Sequence, residues 1–440
     1  MWTYYPDLLA RPVPRYTSYP TAAEFTPATG AQAMEEALSA VPAGSDISLY
    51  VHIPYCEQIC WYCACNTGKA NKAHRLRAYM EALEQEIALV ARKLEGRARA
   101  RRIAFGGGSP NAIPAIDFVR LLDTLTVAFQ ADDPVISVEI DPRGFDDWWA
   151  AMLAGTNVKR VSLGVQTFAP QVQAAIGRVQ PYETIARAVE YLRAAGVQSI
   201  NFDLMYGLAH QGMAELDDSI GQSIALGADR IALFGYAHVP SIVPRQRQIS
   251  AEDLPDQETR FRMAAHGYDR FTAAGYIPVG FDHFAKPDDA LGLAMRDGTL
   301  RRNFQGFTED PAEILIGFGA TAISGFPDRL LQNEKNSGVY RNMVGEGQLP
   351  AALGVMRSAE DRTHGAVIEA LLCYGRADLS QLGDLHPYRL DLAPFLARQL
   401  VELDGAQLTL APAALPYARS IAALFDPYRT QHQGRFSHAV

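Results

Sequence analysis

From about residue 46 the chain alternates short runs rich in β-branched and aromatic residues with longer runs whose apolar positions recur every three or four residues. The short runs predict strands at 48–52, 102–105, 136–140, 160–164, 199–204 and 230–234. The longer runs predict helices at 76–93, 115–129, 148–154, 182–195 and 213–226. Alternation of this kind implies parallel strands joined by right-handed crossovers. Six units are fewer than the eight that close a barrel, so the expected fold is α/β, an open (three-quarter) parallel β/α barrel whose gap admits a large substrate. Ligands of such folds sit at the carboxyl ends of the strands.

The flanks read differently. Pro14-Arg15-Tyr16-Thr17-Ser18-Tyr19-Pro20-Thr21 cannot form a regular helix between its prolines, so residues 1–45 are expected to be an N-terminal arm. Beyond residue 280 the pattern loosens, and 282–287 and 302–307 are read as loops. Helical periodicity returns at 359–374, 388–403 and 412–425, with a short strand at 407–410. The expected division is the arm, a barrel domain over 46–349, and a small, mainly helical C-terminal domain over 350–440. No repeat interrupts this order.

With 440 residues, 48% of them hydrophobic, the chain can bury a sizeable core. A net charge of −9 argues against general attraction to nucleic acid or an anionic membrane, which select basic surfaces. The N-terminus lacks a basic region followed by an apolar core, and no apolar run approaches the ~18 residues of a spanning helix. A cytoplasmic location is expected.

Four of the five cysteines, Cys56, Cys60, Cys63 and Cys65, fall within ten residues. Disulfides need an oxidising compartment, and zinc commonly takes two separated pairs of ligands, of which the second is missing. The C-x3-C-x2-C spacing of Cys56, Cys60 and Cys63 instead suits three corners of a four-iron cluster, leaving one iron open to a small molecule. Cys65 is read as close to the cluster without ligating it. Cys373, alone in an apolar stretch, reads as a buried core thiol.

Other candidates follow the predicted strands. Gly106-Gly107-Gly108-Ser109-Pro110 is either a plain turn or a place where backbone approaches a ligand. Glu139 and Asp141 are either caps or partners for ribose hydroxyls. Gln166, Arg178, Asp203 and Ala237 occupy later strand ends or the loops after them, ringing one mouth. His52, His238 and His283 read as hydrogen-bonded structural groups.

The cysteine spacing, with Tyr62 before the third cysteine, resembles the radical S-adenosylmethionine enzymes. Cys65, the preceding Tyr-Val-His-Ile-Pro and the Pro-Arg-Tyr-Thr-Ser-Tyr-Pro arm resemble one branch, the oxygen-independent coproporphyrinogen III oxidases, over nearly the whole chain. The resemblance implies a [4Fe-4S] cluster on Cys56, Cys60 and Cys63. It also implies S-adenosylmethionine contacts from Tyr50, Tyr62, Gly107, Gly108, Ser109, Glu139, Gln166, Arg178, Asp203, Ala237 and Ile323, with two such molecules bound and Gln305 near the second. The implied reaction uses a 5′-deoxyadenosyl radical to turn two propionates of coproporphyrinogen III into vinyl groups, giving protoporphyrinogen IX in heme biosynthesis. The implied partners are that substrate and an electron donor and acceptor, with the chain expected to act as a monomer. A heme-binding chaperone of the same superfamily, or a radical enzyme acting on another tetrapyrrole, is the alternative. An acidic protein gripping four carboxylates needs local cations, for which Arg15, Lys286, Arg301 and Arg302 are the candidates.

Overall fold

The computed structural model describes residues 2–429. Six parallel strands stand in chain order: β1 (Ser45–Ile53), β2 (Ala98–Gly107), β3 (Val135–Ile140), β4 (Val158–Gln166), β5 (Ser199–Tyr206) and β6 (Arg230–Gly235). Each contains a strand the sequence predicts. The helices between them are α1 (Ala73–Leu94), α2 (Ala115–Ala128), α3 (Asp147–Gly155), α4 (Tyr182–Ala194) and α5 (Met213–Ala225).

Side chains alternate across a strand, and here the two faces have different work. On β5, Ile200, Phe202 and Leu204 are fully buried under the helices. Their neighbours Asn201 and Asp203 line the barrel interior with Ser137 and Glu139 of β3, Arg160 and Ser162 of β4, and Arg230 of β6. A parallel strand buried on both faces is usually apolar throughout. Polar residues at every second position therefore mark a lumen built for a polar occupant.

The barrel does not close. At one edge Leu315–Phe318 pairs parallel to β1, and Ile323–Phe326, Arg329–Asn333 and Ala351–Met356 continue antiparallel from it. At the other edge His283–Ala285 and Ile277–Val279 run antiparallel after β6. The result is one sheet of twelve strands among the described residues.

Several expectations are corrected. His283–Ala285 is a strand rather than part of a loop, and Arg301–Asn303 forms a hairpin with Gly306–Thr308. The helix expected over 388–403 ends earlier, as His386–Leu396, and Gln399 at φ 56° turns the chain into the strand Val401–Asp404. That strand pairs with Gln407–Leu410, which pairs with Arg376–Asp378, so the C-terminal helices pack with a three-stranded sheet. The main sheet runs on through Ala351–Met356, past the boundary expected at residue 350, and residues 430–440 of the expected C-terminal domain lie outside the described residues. No described helix is long and apolar enough to cross a membrane.

The arm holds a short helical turn at Pro6–Leu9, a 3-10 turn at Ala22–Glu24 and a longer helix at Ala31–Ser39, and residues 10–21 between them cross the open side of the barrel without regular structure. Its fixings come from far along the chain. Tyr16 and Tyr19 donate their hydroxyls to Asp426 at 2.9 and 3.3 Å, and Arg419 donates to the carbonyls of Val13 and Pro14.

α1 leads back from the cysteine loop and anchors it. Its inward residues Tyr79, Leu83, Glu86 and Val90 follow helical spacing, so Tyr79 and Glu86 share one face two turns apart. The Tyr79 hydroxyl donates to His52 O at 2.8 Å and accepts from Ala320 N. Glu86 accepts from Gly319 N, Asn333 Nδ2 and the Tyr340 hydroxyl at 2.6–2.7 Å. Burial lifts the Glu86 carboxyl to about 7 even so. Because the folded chain keeps a proton that the unfolded chain releases, this contribution is full below pH 4.5 and is lost as pH rises through about 7. The loss is on the order of 3 kcal/mol. Urea unfolding between pH 5 and 8 should show that decline in the wild type and a flatter profile in Glu86→Gln; equal slopes would refute it.

Candidate active site

The three glycines ending β2 are required by the chain that passes over them. The turn donates Gly108 N to Ile53 O at 2.9 Å and Ser109 N to Tyr55 O at 2.8 Å. A Cβ at Gly108 would lie 2.5 Å from Tyr55 O, so any side chain there would push the cysteine loop off the sheet. Gly107, at φ 111°, faces the His52 ring and donates its N–H to Glu139 at 3.1 Å.

The loop is tied down on its other sides as well. Trp61 N donates to Ile176 O at 3.0 Å, Gln246 Nε2 donates to Tyr62 O and Ala237 O, and Arg245 donates to Thr67 Oγ1 at 2.9 Å. Thus the turn after β2, the segment after β4 and the loop after β6 hold the segment from Cys56 to Thr67.

That segment forms one wall of a cavity of about 490 Å³ at the carboxyl ends of the strands. Cys56, Cys60, Tyr62, Cys63 and Cys65 line it from the loop. Gly107, Gly108, Glu139, Gln166, Arg178, Asp203 and Ala237 line it from the strand ends. Three of the residues implied by resemblance stand elsewhere. Ser109 is buried beneath the turn, its hydroxyl donating to Asn111. Tyr50 packs edge-on against Phe304, and Ile323 lines a separate cavity with Phe304, Arg301 and Arg302. Gln305 lines the lumen below, which shares Glu139, Ser162, Asp203 and Phe234 with the cysteine cavity. The two spaces adjoin across these residues.

Electrostatics differ from wall to wall. Asp141 is both cap and ion-pair partner: it accepts from Arg143 N at 3.1 Å and pairs with Arg143 at 2.6 Å and Arg178 at 3.2 Å. Burial would raise its pKa, but Arg178 and then Arg143 hold it below the usual carboxylate value. Both arginines also donate to Cys60 Sγ at 3.3 Å. On the strand side, removal from bulk water inside the cavity raises Glu139 to about 7, with Asp203 adding to the rise. Asp203 is raised too, chiefly by burial, and accepts from Ser162 and Asn201. Cys63 is lowered to about 6, mainly by the Cys65 side chain, while burial pushes Cys56 up to about 12.

Sequence reasoning missed Arg143, Arg245 and Gln246. A signal for Arg143 existed: a group of thiolates is anionic, and Asp-Pro-Arg follows the next strand end. Of the candidate cations, Arg15 lines the cavity, whereas Lys286 pairs with Asp229 at the opposite, amino end of β6. Arg301 pairs with Glu369, and Arg302 holds the arm through Arg15 O and Tyr16 O.

The Radical SAM superfamily profile matches residues 50–221. The chain is 40% identical over 437 residues to the oxygen-independent coproporphyrinogen III oxidase of Bradyrhizobium diazoefficiens, covering 97% of both chains. It is 36% identical over 428 residues to that of Escherichia coli K12, covering 95% of this chain and 93% of the relative. The solved structure of coproporphyrinogen III oxidase from Escherichia coli, a radical SAM enzyme, superposes with a TM-score of 0.89 at 34% identity, covering 97% of this chain and 99% of the other.

Proposed function

The chain belongs to the oxygen-independent coproporphyrinogen III oxidases of the radical S-adenosylmethionine superfamily, and from that membership we propose that it decarboxylates coproporphyrinogen III to protoporphyrinogen IX. The observation that carries the reading is a cavity at the carboxyl ends of the strands that is lined by Cys56, Cys60 and Cys63 and adjoins a polar lumen. Each of two propionates would lose a hydrogen atom from its β-carbon, then CO2 and one electron, leaving a vinyl group.

The residues present fit a [4Fe-4S] cluster. Three soft thiol donors sit on eight residues facing one cavity, and two guanidiniums already meet Cys60 Sγ, where they would offset thiolate charge. Among the described residues no three His, Cys, Asp or Glu side chains already stand at metal-holding distances, so ligation would draw Cys56, Cys60 and Cys63 together. When bound, the cluster and S-adenosylmethionine supply the carbon-centred oxidant that takes the substrate hydrogen.

The chain's own part is placement and exclusion. Gly107 and Gly108 bring backbone against the cysteine loop, leaving room for the amino-acid end of S-adenosylmethionine. Tyr62, Glu139, Gln166, Arg178, Asp203 and Ala237 surround the rest. Ile323 stands outside this cavity and is assigned to a second molecule. Such an oxidant attacks the nearest C–H bond, so selectivity depends on how rigidly these walls hold the reactants and shut out water.

Anaerobic incubation of the cluster-loaded protein with coproporphyrinogen III, S-adenosylmethionine and a reductant should give vinyl products, CO2 and 5′-deoxyadenosine, and omission of any one component should stop all three. Tight heme binding without CO2 release would overturn the oxidase reading in favour of a chaperone.

A further inference from the structure

A further, small cavity of about 50 Å³ lies beside β6, where the arm crosses the barrel. Its wall carries three guanidiniums, Arg15, Arg260 and Arg419, and one carboxylate, Asp282. Asp282 already accepts from His283 at 2.6 Å. Arg15 and Arg260 have no carboxylate within ion-pair distance among the described residues. Their hydrogen bonds go to main-chain carbonyls, Arg15 Nη2 to Gly235 O at 3.1 Å and Arg260 Nη2 to Tyr236 O at 2.7 Å. The Nε of Arg260 is buried without any partner. Burial holds Arg260 below the usual guanidinium range, and Arg15 lowers it further; burial and Arg15 likewise take Arg419 down to about 10. Arg260 and Arg419 are largely withdrawn from water, Arg15 reaches the same wall from an exposed position, and the three positive charges face one carboxylate, which leaves the wall with an excess of positive charge.

The surroundings are shaped to this arrangement. Arg260 lies flat against two glycines: a Cβ at Gly207 would come within 2.9 Å of its Nε, and one at Gly235 within 3.4 Å of its Nη2. Arg302 and Arg419 grip the carbonyls of residues 13–16, which presents the Arg15 side chain to the cavity. Arg15 and Phe234 line this cavity and the cysteine cavity alike, so a ligand in the larger space can extend one group into the smaller. A water molecule's share of the liquid is about 30 Å³. A space of about 50 Å³ therefore has room for a carboxylate group.

We propose that Arg15 and Arg260, backed by Arg419, form a carboxylate subsite that holds one propionate of the tetrapyrrole while another faces the cysteine cavity. The identity of the ligand rests on the oxidase reading; the demand for an anion rests on the cations alone. The planar guanidinium fork matches a carboxylate, and the unpaired Arg260 Nε supplies a donor for it.

The test measures fluorescence quenching of coproporphyrin III and of its tetramethyl ester, in the same detergent, by the cluster-loaded full chain and by Arg15→Gln, Arg260→Gln and Arg260→Lys. In both Gln variants the Kd for the tetra-acid should rise at least tenfold while that for the ester moves less than twofold, and Arg260→Lys should recover part of the loss. Iron content and circular dichroism establish that each variant is folded. An unchanged Kd for the tetra-acid in Arg260→Gln overturns the subsite. Equal weakening of acid and ester also overturns it, because an ester carries no charge for the guanidiniums to pair with. Failure of the wild type to form vinyl products would bring down the oxidase reading, while the acid and ester titrations would still decide the subsite.

Discussion

Exchange of Cys56, Cys60 or Cys63 for Ala should remove the cluster and with it all detectable vinyl product, whereas Cys65→Ala should still assemble a cluster. The three proposed ligands rest on their spacing and on their common cavity wall. Cys65 lines the same wall, but its backbone N–H reaches Cys63 Sγ at 3.4 Å, so its place is beside a ligand rather than at a fourth corner. Iron content and visible absorption after anaerobic reconstitution check this. A cluster retained in Cys63→Ala and lost in Cys65→Ala would reverse the assignment.

Arg178→Leu should lower stability by about 3–5 kcal/mol, the usual cost of breaking a buried ion pair from one side. Product formation should fall at least a hundredfold. Arg178 is buried and donates to Gly164 O at 2.6 Å, to Asp141 and to Cys60 Sγ, thereby joining β4, the end of β3 and the cysteine loop through one side chain. Leu fills part of the space but leaves Asp141 with Arg143 alone. Arg178→Lys keeps the charge but loses the fork and should fall between the two. Urea midpoints with iron content read both effects. A Leu variant with an unchanged midpoint and a full cluster would show that the arginine is incidental.

The barrel strands were legible because each is long enough to show alternation and is followed by an amphipathic helix. The short antiparallel strands carry no such signature. Ile277–Val279 contains Pro278 at a sheet edge, and Arg301–Asn303 is polar throughout; pairing partners, not local pattern, make these segments strands. One omission led to another. Lys286 follows the barrel in sequence and reads as a candidate substrate cation, but His283–Ala285 runs antiparallel to β6 and carries the chain back to Asp229 at the amino end. The helix expected through residue 403 fails because Gln399 adopts a left-handed conformation, which the apolar run Leu400, Val401 and Leu403 does not disclose.

At the site, most positions carried over by resemblance meet in one cavity because successive strand ends of a parallel barrel necessarily converge. Side-chain reach was not legible. Arg143, Arg260 and Gln246 lie on loops and helices whose pattern says nothing about where a long side chain ends.

The arm's fixings also impose an order in time. Tyr16 meets Asp426 across 410 residues of sequence, and Arg419 grips Val13 and Pro14 across a similar span. During synthesis at about 5–20 residues per second, Cys63 emerges roughly 20–70 s before those partners exist. Through that interval the barrel and its cysteine loop can form, while the arm lacks its C-terminal fixings and has only the contacts of earlier partners such as Arg302. The nascent chain thus passes through an uncapped stage in which iron and sulfide have their widest access to the thiols, and so does oxygen.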